Sequence, residues 1–140
     1  MADLVYNSFK KDVADGSIDM VNDTIKVMLV TSSYTPDIDA HTRRDDITNE
    51  VTGTAYVAGG VTITGITNTQ DNALDEATID APNVTWAAST ITARGAVVYK
   101  STGVAANDNL VAYFDFSTDQ ISSSGDFTIN WNALGILSIS

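Results

Sequence analysis

Cysteine is absent from this 140-residue chain, so it offers no disulfide framework, no thiolate nucleophile, no iron–sulfur centre and no cysteine-based zinc site. Histidine occurs once, as His41, which leaves most metal-ligand sets and acid–base constellations short of their usual residue. Basic residues are scarce too: 7 stand against 18 acidic ones, giving a formal net charge of -11 and a pI near 4.1. A surface of that sign repels phosphate, which argues against nucleic acid and against an anionic membrane as partners. Long apolar runs are missing as well. The longest, Leu110 to Phe114, is strand-sized, far below the roughly 18 residues of a membrane span. Met1 to Tyr6 carries neither the basic leader nor the apolar stretch of a secretory signal. The expectation is a protein kept in the cytoplasm, or built there into something larger.

What is present is enough to fold. The chain is 44% hydrophobic and 18% charged, too apolar for a disordered segment, and its length predicts one domain over residues 1–140. Val5, Phe9 and Val13 recur at helical intervals, with Lys10, Lys11 and Asp12 between them and Gly16 at the position of a stop. This predicts one short amphipathic helix over residues 4–15, within an N-terminal arm of residues 1–17. A helix of about three turns is marginal alone in water, so its apolar stripe must lie on its own sheet or on another subunit.

From Thr24 the period becomes two. Strands are predicted at 24–31, 56–66, 77–81, 83–87, 90–100, 110–116, 126–131 and 135–139, separated by small polar clusters at Gly59-Gly60, 67–75, 101–109 and 122–125 that read as turns. Many strand positions hold threonine, among them Thr62, Thr64, Thr90, Thr92 and Thr128, a residue suited to the wet face of a half-buried sheet. The pattern predicts a mainly β fold, an antiparallel β-sandwich or jelly-roll-like domain with one short N-terminal helix. Residues 32–54 stand apart as a long connection, functional or ordered only on meeting a partner.

Chemistry is thinly represented. Asp37, Asp39 and His41 lie within five residues, yet nothing supplies a second histidine, so a solvated loop outweighs a metal tether or a metal-assisted hydrolase. Asp71, Asn72, Asp75 and Glu76 offer oxygen ligands, but Asp and Asn also favour turns for local hydrogen-bonding reasons. No nucleophile elbow, phosphate loop or dinucleotide fingerprint is present. No enzyme activity, metal or cofactor is expected. Trp86 and Trp131 have apolar alternate neighbours and read as core anchors, as does the Tyr113, Phe114, Phe116 strip. Arg43 and Arg44 are basic spots on an acidic chain, where a second acidic subunit could dock.

The stretch Leu4 to Asp19, with its Asn7-Ser8-Phe9-Lys10-Lys11-Asp12 run, continues into Asp23 to Asp37. Together with Ala58-Gly59-Gly60, Val84 to Lys100 and Ser122 to Ile129, it resembles a family of small proteins encoded among the virion genes of tailed bacteriophages. The resemblance implies a role in particle structure: decoration or cementing of the capsid by bridging major capsid subunits, with placement in the tail or a head fibre as the alternative. It implies the major capsid protein as partner, a homo-oligomer (dimer or trimer) suited to the symmetry of a particle, and a place on the capsid surface after assembly in the host cytoplasm. It carries over no catalytic residue. Expected contact residues are Tyr6, Phe9, Tyr34, Arg43 and Arg44, in the N-terminal segment and the long loop. On the tail or fibre alternative, Tyr56 or Trp86 would serve as an aromatic platform for host-surface glycan.

Overall fold

The computed structural model describes all residues from Met1 to Ser140. In chain order the elements are β1 (Leu4–Val5), α1 (Asn7–Ala14), β2 (Ile25–Val30), β3 (Val61–Thr62), β4 (Thr67–Asp71), β5 (Glu76–Asp80), β6 (Val84–Lys100), β7 (Leu110–Ile129) and β8 (Leu137–Ile139). Single 3-10 turns at Arg44–Asp46 and Ala105–Asn107 punctuate the connections. All pairings are antiparallel, in a five-stranded sheet of order β1-β7-β6-β2-β3 and a three-stranded sheet of order β4-β5-β8. The mainly β, two-sheet sandwich with one short helix is thus the architecture the residue pattern predicts. No helix is long and apolar enough to cross a membrane.

The large sheet is covered on both faces. Alternation along β2 sends Ile25, Val27 and Leu29 to one side and Met28 and Val30 to the other, which is why this strand reads as apolar throughout. On the first side Trp86, Phe114, Phe127 and Ile129 meet Ile79 and Leu137 of the small sheet, and Phe9 of α1 packs into the same core. On the second side Val97, Tyr99, Leu110 and Tyr113 pack against Tyr6 and Tyr34. The 32–54 segment is therefore a cover for the second core. Its backbone is tied to β2 through Thr31 N–H to Asn49 O (2.9 Å) and Val51 N–H to Leu29 O (3.0 Å).

Several expected boundaries change. Leu4 and Val5 belong to a strand, paired with Tyr113 and Ala112 of β7, and the helix begins only after Tyr6. It ends at Ala14 with Gly16 in the left-handed region (φ +80°), a conformation glycine adopts without a Cβ penalty. The four strands predicted at 83–87, 90–100, 110–116 and 126–131 are two, β6 and β7, a single long hairpin. The ladder runs through the turn expected at 122–125, with Ser122 opposite Ile91 and Gly125 opposite Ser89, and its register slips between Trp86 and Ser89, Ser89 and Ile91, and Ala93 and Gly95 are bulges that do not end it. The strand predicted at 56–66 shrinks to Val61–Thr62. Gly59 and Gly60 both have positive φ, and a Cβ on Gly60 would lie 1.8 Å from the Val27 carbonyl oxygen; the chain crosses β2 too closely to pair along it. Conversely, Thr67 to Asp71, expected as loop, is β4.

Candidate functional site

The expected contact residues lie mostly inside the chain. Tyr6, Phe9 and Tyr34 are 0%, 1% and 4% exposed, so in the folded chain these three contact their own domain, a correction to the expectation of surface contacts. Burial drives the correction: Tyr6 enters the core between β1 and α1, and Tyr34 is the plug by which the 32–54 cover seats on the sheet. Their hydroxyls meet at 2.8 Å, and that of Tyr34 lies 2.9 Å from His41 Nδ1. The Asp37 amide donates to the same nitrogen at 3.2 Å, which makes Nδ1 an acceptor and orients the chain of donation from Tyr6 through Tyr34 to His41. Burial pushes the Tyr6 phenol far above its ordinary range and that of Tyr34 up to about 12. Both are neutral hydrogen-bonding groups at physiological pH.

The arginines are anchored too. Arg44 Nε donates to Asp108 at 2.8 Å, and its guanidinium carbon sits 5.4 Å from the Tyr99 ring centroid. Asp108, 1% exposed, also accepts the Thr102 amide (2.6 Å) and hydroxyl (2.7 Å). Burial raises the pKa of this carboxyl, but the Arg44 and Thr102 hydrogen bonds outweigh that and leave it below its ordinary value. Arg43 Nη1 lies 3.7 Å from Asp12, a buried helix carboxylate that accepts from Asn109 Nδ2 at 2.8 Å. These links join α1, the long loop and the β6–β7 connection. The intersubunit bridge expected of Arg44 is, in this chain, an internal one. Arg43 keeps about a third of its side chain in solvent.

Of the acidic candidates for metal binding, Asp37 and Asp71 are spent on turns and Asp39 on a link to α1. Asp37 Oδ1 accepts the amides of Asp39 and Ala40 at 3.0 and 2.9 Å, and Asp39 Oδ1 accepts from Asn7 at 2.6 Å. Asp71 Oδ1 does the same for Ala73 and Leu74. No three His, Asp or Glu side chains converge to hold an ion.

The aromatic platforms considered for glycan are likewise internal. Trp86 is buried in the first core. The Tyr56 hydroxyl donates to Glu50 (2.7 Å) and accepts from the Leu29 amide (3.0 Å); burial pushes its pKa well above the ordinary range. A groove of about 550 Å³ runs past Glu50, Thr52, Thr54, Thr90, Thr92 and Arg94, and no hydrophobic residue lines it. It offers hydroxyls and one ion pair, Arg94 with Asp119 at 3.1 Å, and no ring on which a sugar would stack.

The residue pattern singled out Asp71, Asn72, Asp75 and Glu76 as turn formers or oxygen ligands; what it did not show is the surface that Asp71 and Glu76 help to form, the outer face of the small sheet. A shallow concavity of about 410 Å³ there is lined by Asp71, Glu76 and Asp80 and flanked by two exposed leucines, Leu74 and Leu134. A signal for it exists in the sequence: no lysine, arginine or histidine occurs between Arg44 and Arg94. No family model matches the chain, and neither does any curated protein or solved structure.

Proposed function

We propose that the chain is a structural virion protein that decorates and stabilises a bacteriophage capsid by bridging major capsid subunits, acting as a homo-oligomer on the particle surface. The observation that carries this reading is a division of labour in the fold. Buried carboxylates and tyrosines and two half-buried arginines are consumed in links that hold the long loop onto the sheet, while the grooves are open and face solvent. Such a body presents surfaces to a partner and encloses no small substrate. The resemblance of Leu4 to Asp37 and of Val84 to Lys100 to tailed-phage virion proteins supplies the partner.

A protein that binds the assembled lattice and not its parts stabilises the lattice by mass action, and an oligomer adds avidity. The net charge of -11 keeps the protein from adhering to packaged DNA. The test is co-sedimentation of the purified protein with particles, or empty capsids, that lack it. Saturation on the order of hundreds of copies per particle is expected for an icosahedral lattice contact. Saturation at a few copies would move the protein to the tail or a head fibre, and absence of binding would overturn the reading.

A further inference from the structure

The small sheet has an inner face that gives Ile79 and Leu137 to the core and an outer face that nothing covers. In the β4–β5 register Thr67 stands opposite Asp80, Thr69 opposite Thr78 and Asp71 opposite Glu76. Period two places these three pairs on the side away from Ile79. Leu74, in the turn at the hairpin tip, is 57% exposed, and Leu134, in the segment leading into β8, is 62% exposed. Both border the concavity that holds the carboxylates. Of the chain's nine exposed large apolar side chains, these two lie together beside the same unpartnered sheet face, where they offer apolar contact points next to the carboxylates.

Charge selects the occupant. Every cation of the chain lies elsewhere: Lys10 and Lys11 on α1, Lys26 on β2, Arg43 and Arg44 in the loop, Arg94 and Lys100 on β6. The ion pairs use Asp12, Asp15, Asp23, Asp108 and Asp119, so Asp71, Asp75, Glu76 and Asp80 have no cationic partner. Asp71 and Glu76 are like charges set directly opposite one another, an arrangement that costs stability until a cation arrives. A phosphate-bearing polymer or an anionic bilayer is repelled by this face. A second copy offering the same face would bring its carboxylates against these. A single bound ion lacks a converging ligand set. What fits is a protein surface that presents lysine or arginine side chains around apolar contact points.

We propose that the outer face of the β4-β5-β8 sheet is a docking surface for a basic protein surface, with Leu74 and Leu134 as its apolar contacts and Asp71, Glu76 and Asp80 as its charge partners. For the identity of that partner, a face of the capsid lattice, the inference rests on the function proposed above; for the surface itself it does not. The leucines hold the complex together, and the carboxylates steer the encounter, so binding weakens with salt.

Two variants and a control test it. D71N/E76Q/D80N removes the charge and keeps acceptors for the turn amides; L74S/L134S removes the apolar contacts; D45N/D115N/D126N removes three exposed acids elsewhere on the surface. All three should melt within a few degrees of the parent. In sedimentation with particles that lack the protein, each of the first two variants should bind at least about tenfold more weakly, as loss of central contacts does, and the control should bind as the parent does. Undiminished binding by both test variants would overturn the surface and leave the lattice reading standing. If the parent itself does not sediment, the lattice reading fails, and titration of the isotope-labelled parent with synthetic peptides, one alternating Lys and Leu and one alternating Lys and Ser, decides the surface. Amide shifts confined to Thr67–Asp80 and Leu134, larger for the Lys–Leu peptide, uphold it. Shifts spread over all acidic surfaces, or equal for the two peptides, overturn it. A parent dimer that L74S/L134S turns into a monomer would put a second copy on this face and would equally overturn it.

Discussion

The β6–β7 and β4–β5 hairpins are written in the same small, threonine-rich vocabulary and end in opposite environments. In the first, Val97, Val98 and Tyr99 are all buried, because the small sheet and α1 cover one face and the 32–54 segment covers the other. In the second, β4 is exposed along both faces up to Asp71. It is held to the body through β5, where Ile79 enters the core and accepts the Ile136 amide at 2.7 Å. An isolated two-stranded ribbon is marginal in water, and this one survives as a branch of a stable trunk. Burial here is decided by which segment folds over a strand, and threonine content does not predict it. The trunk carries the stability and the branch is free to carry recognition.

The largest effect should come from the same substitution made in each region. Leu110 is fully buried in the second core, and Leu110→Ala should cost about 2–5 kcal/mol through lost transfer energy and the cavity left behind. Leu74→Ala should fall within about 0.5 kcal/mol of the parent, as an exposed substitution does. Urea melts of the two variants check this, and a cost above about 1 kcal/mol for Leu74→Ala would show that the branch has a core of its own.

A matched pair of carboxylates sharpens the comparison. Asp108→Asn strands the Arg44 guanidinium and should cost about 2–3 kcal/mol at neutral pH. Asp71→Asn keeps an acceptor for the Ala73 and Leu74 amides and relieves the charge opposite Glu76, so it should be neutral or slightly stabilising. The pH dependence has a definite sign. The folded-state pKa of Asp108 lies below its ordinary value of 3.8, so its ionised form stabilises the fold fully above that value. The contribution is lost as pH falls through the lower folded-state value. The gap between parent and Asp108→Asn should therefore be constant from neutral pH down to the ordinary carboxylate range and should close only below 3.8. A gap that closes at higher pH would mean that Asp108 is not held ionised by Arg44.

The fold class was legible because period-two patterning and the loss of helical period after Gly16 are local signals. Strand continuity was not. The 122–125 cluster reads as a turn from its small residues, and only cross-strand partners such as the buried Ser89–Ser122 hydroxyl pair (2.8 Å) reveal a bulged stretch of one long hairpin. The burial of Tyr6 and Tyr34 was illegible for a related reason. Both lie in the segments expected to make contacts, the N-terminal arm and the long loop, and their burial depends on the 32–54 segment closing over β2, β6 and β7. The Arg44–Asp108 pair joins positions 64 residues apart, a separation that composition and spacing cannot bridge. The acidic branch, by contrast, could have been read from the absence of basic residues between Arg44 and Arg94; what needed the fold was that β4 and β5 put those acids on one face beside two leucines.

The smallest effect compares strained backbone in the two hairpins. Ala88, in the β6 bulge opposite Asp126, has φ +50°, and Asp75, at the tip of the β4–β5 hairpin, has φ +54°. An alanine in the left-handed region loses about 1–2 kcal/mol to the clash of its Cβ with the following carbonyl oxygen, and glycine there removes the clash while losing about 0.5–1 kcal/mol more chain entropy on folding. Ala88→Gly should thus stabilise by about 0.5 kcal/mol. Aspartate enters the same region at less cost than alanine, so Asp75→Gly should change stability by less than Ala88→Gly does. The two differences are resolved by urea melts at equal m-value. If Ala88→Gly destabilises instead, the alanine methyl contributes packing that outweighs its strain, and the bulge belongs to the tightly packed trunk rather than to its flexible margin.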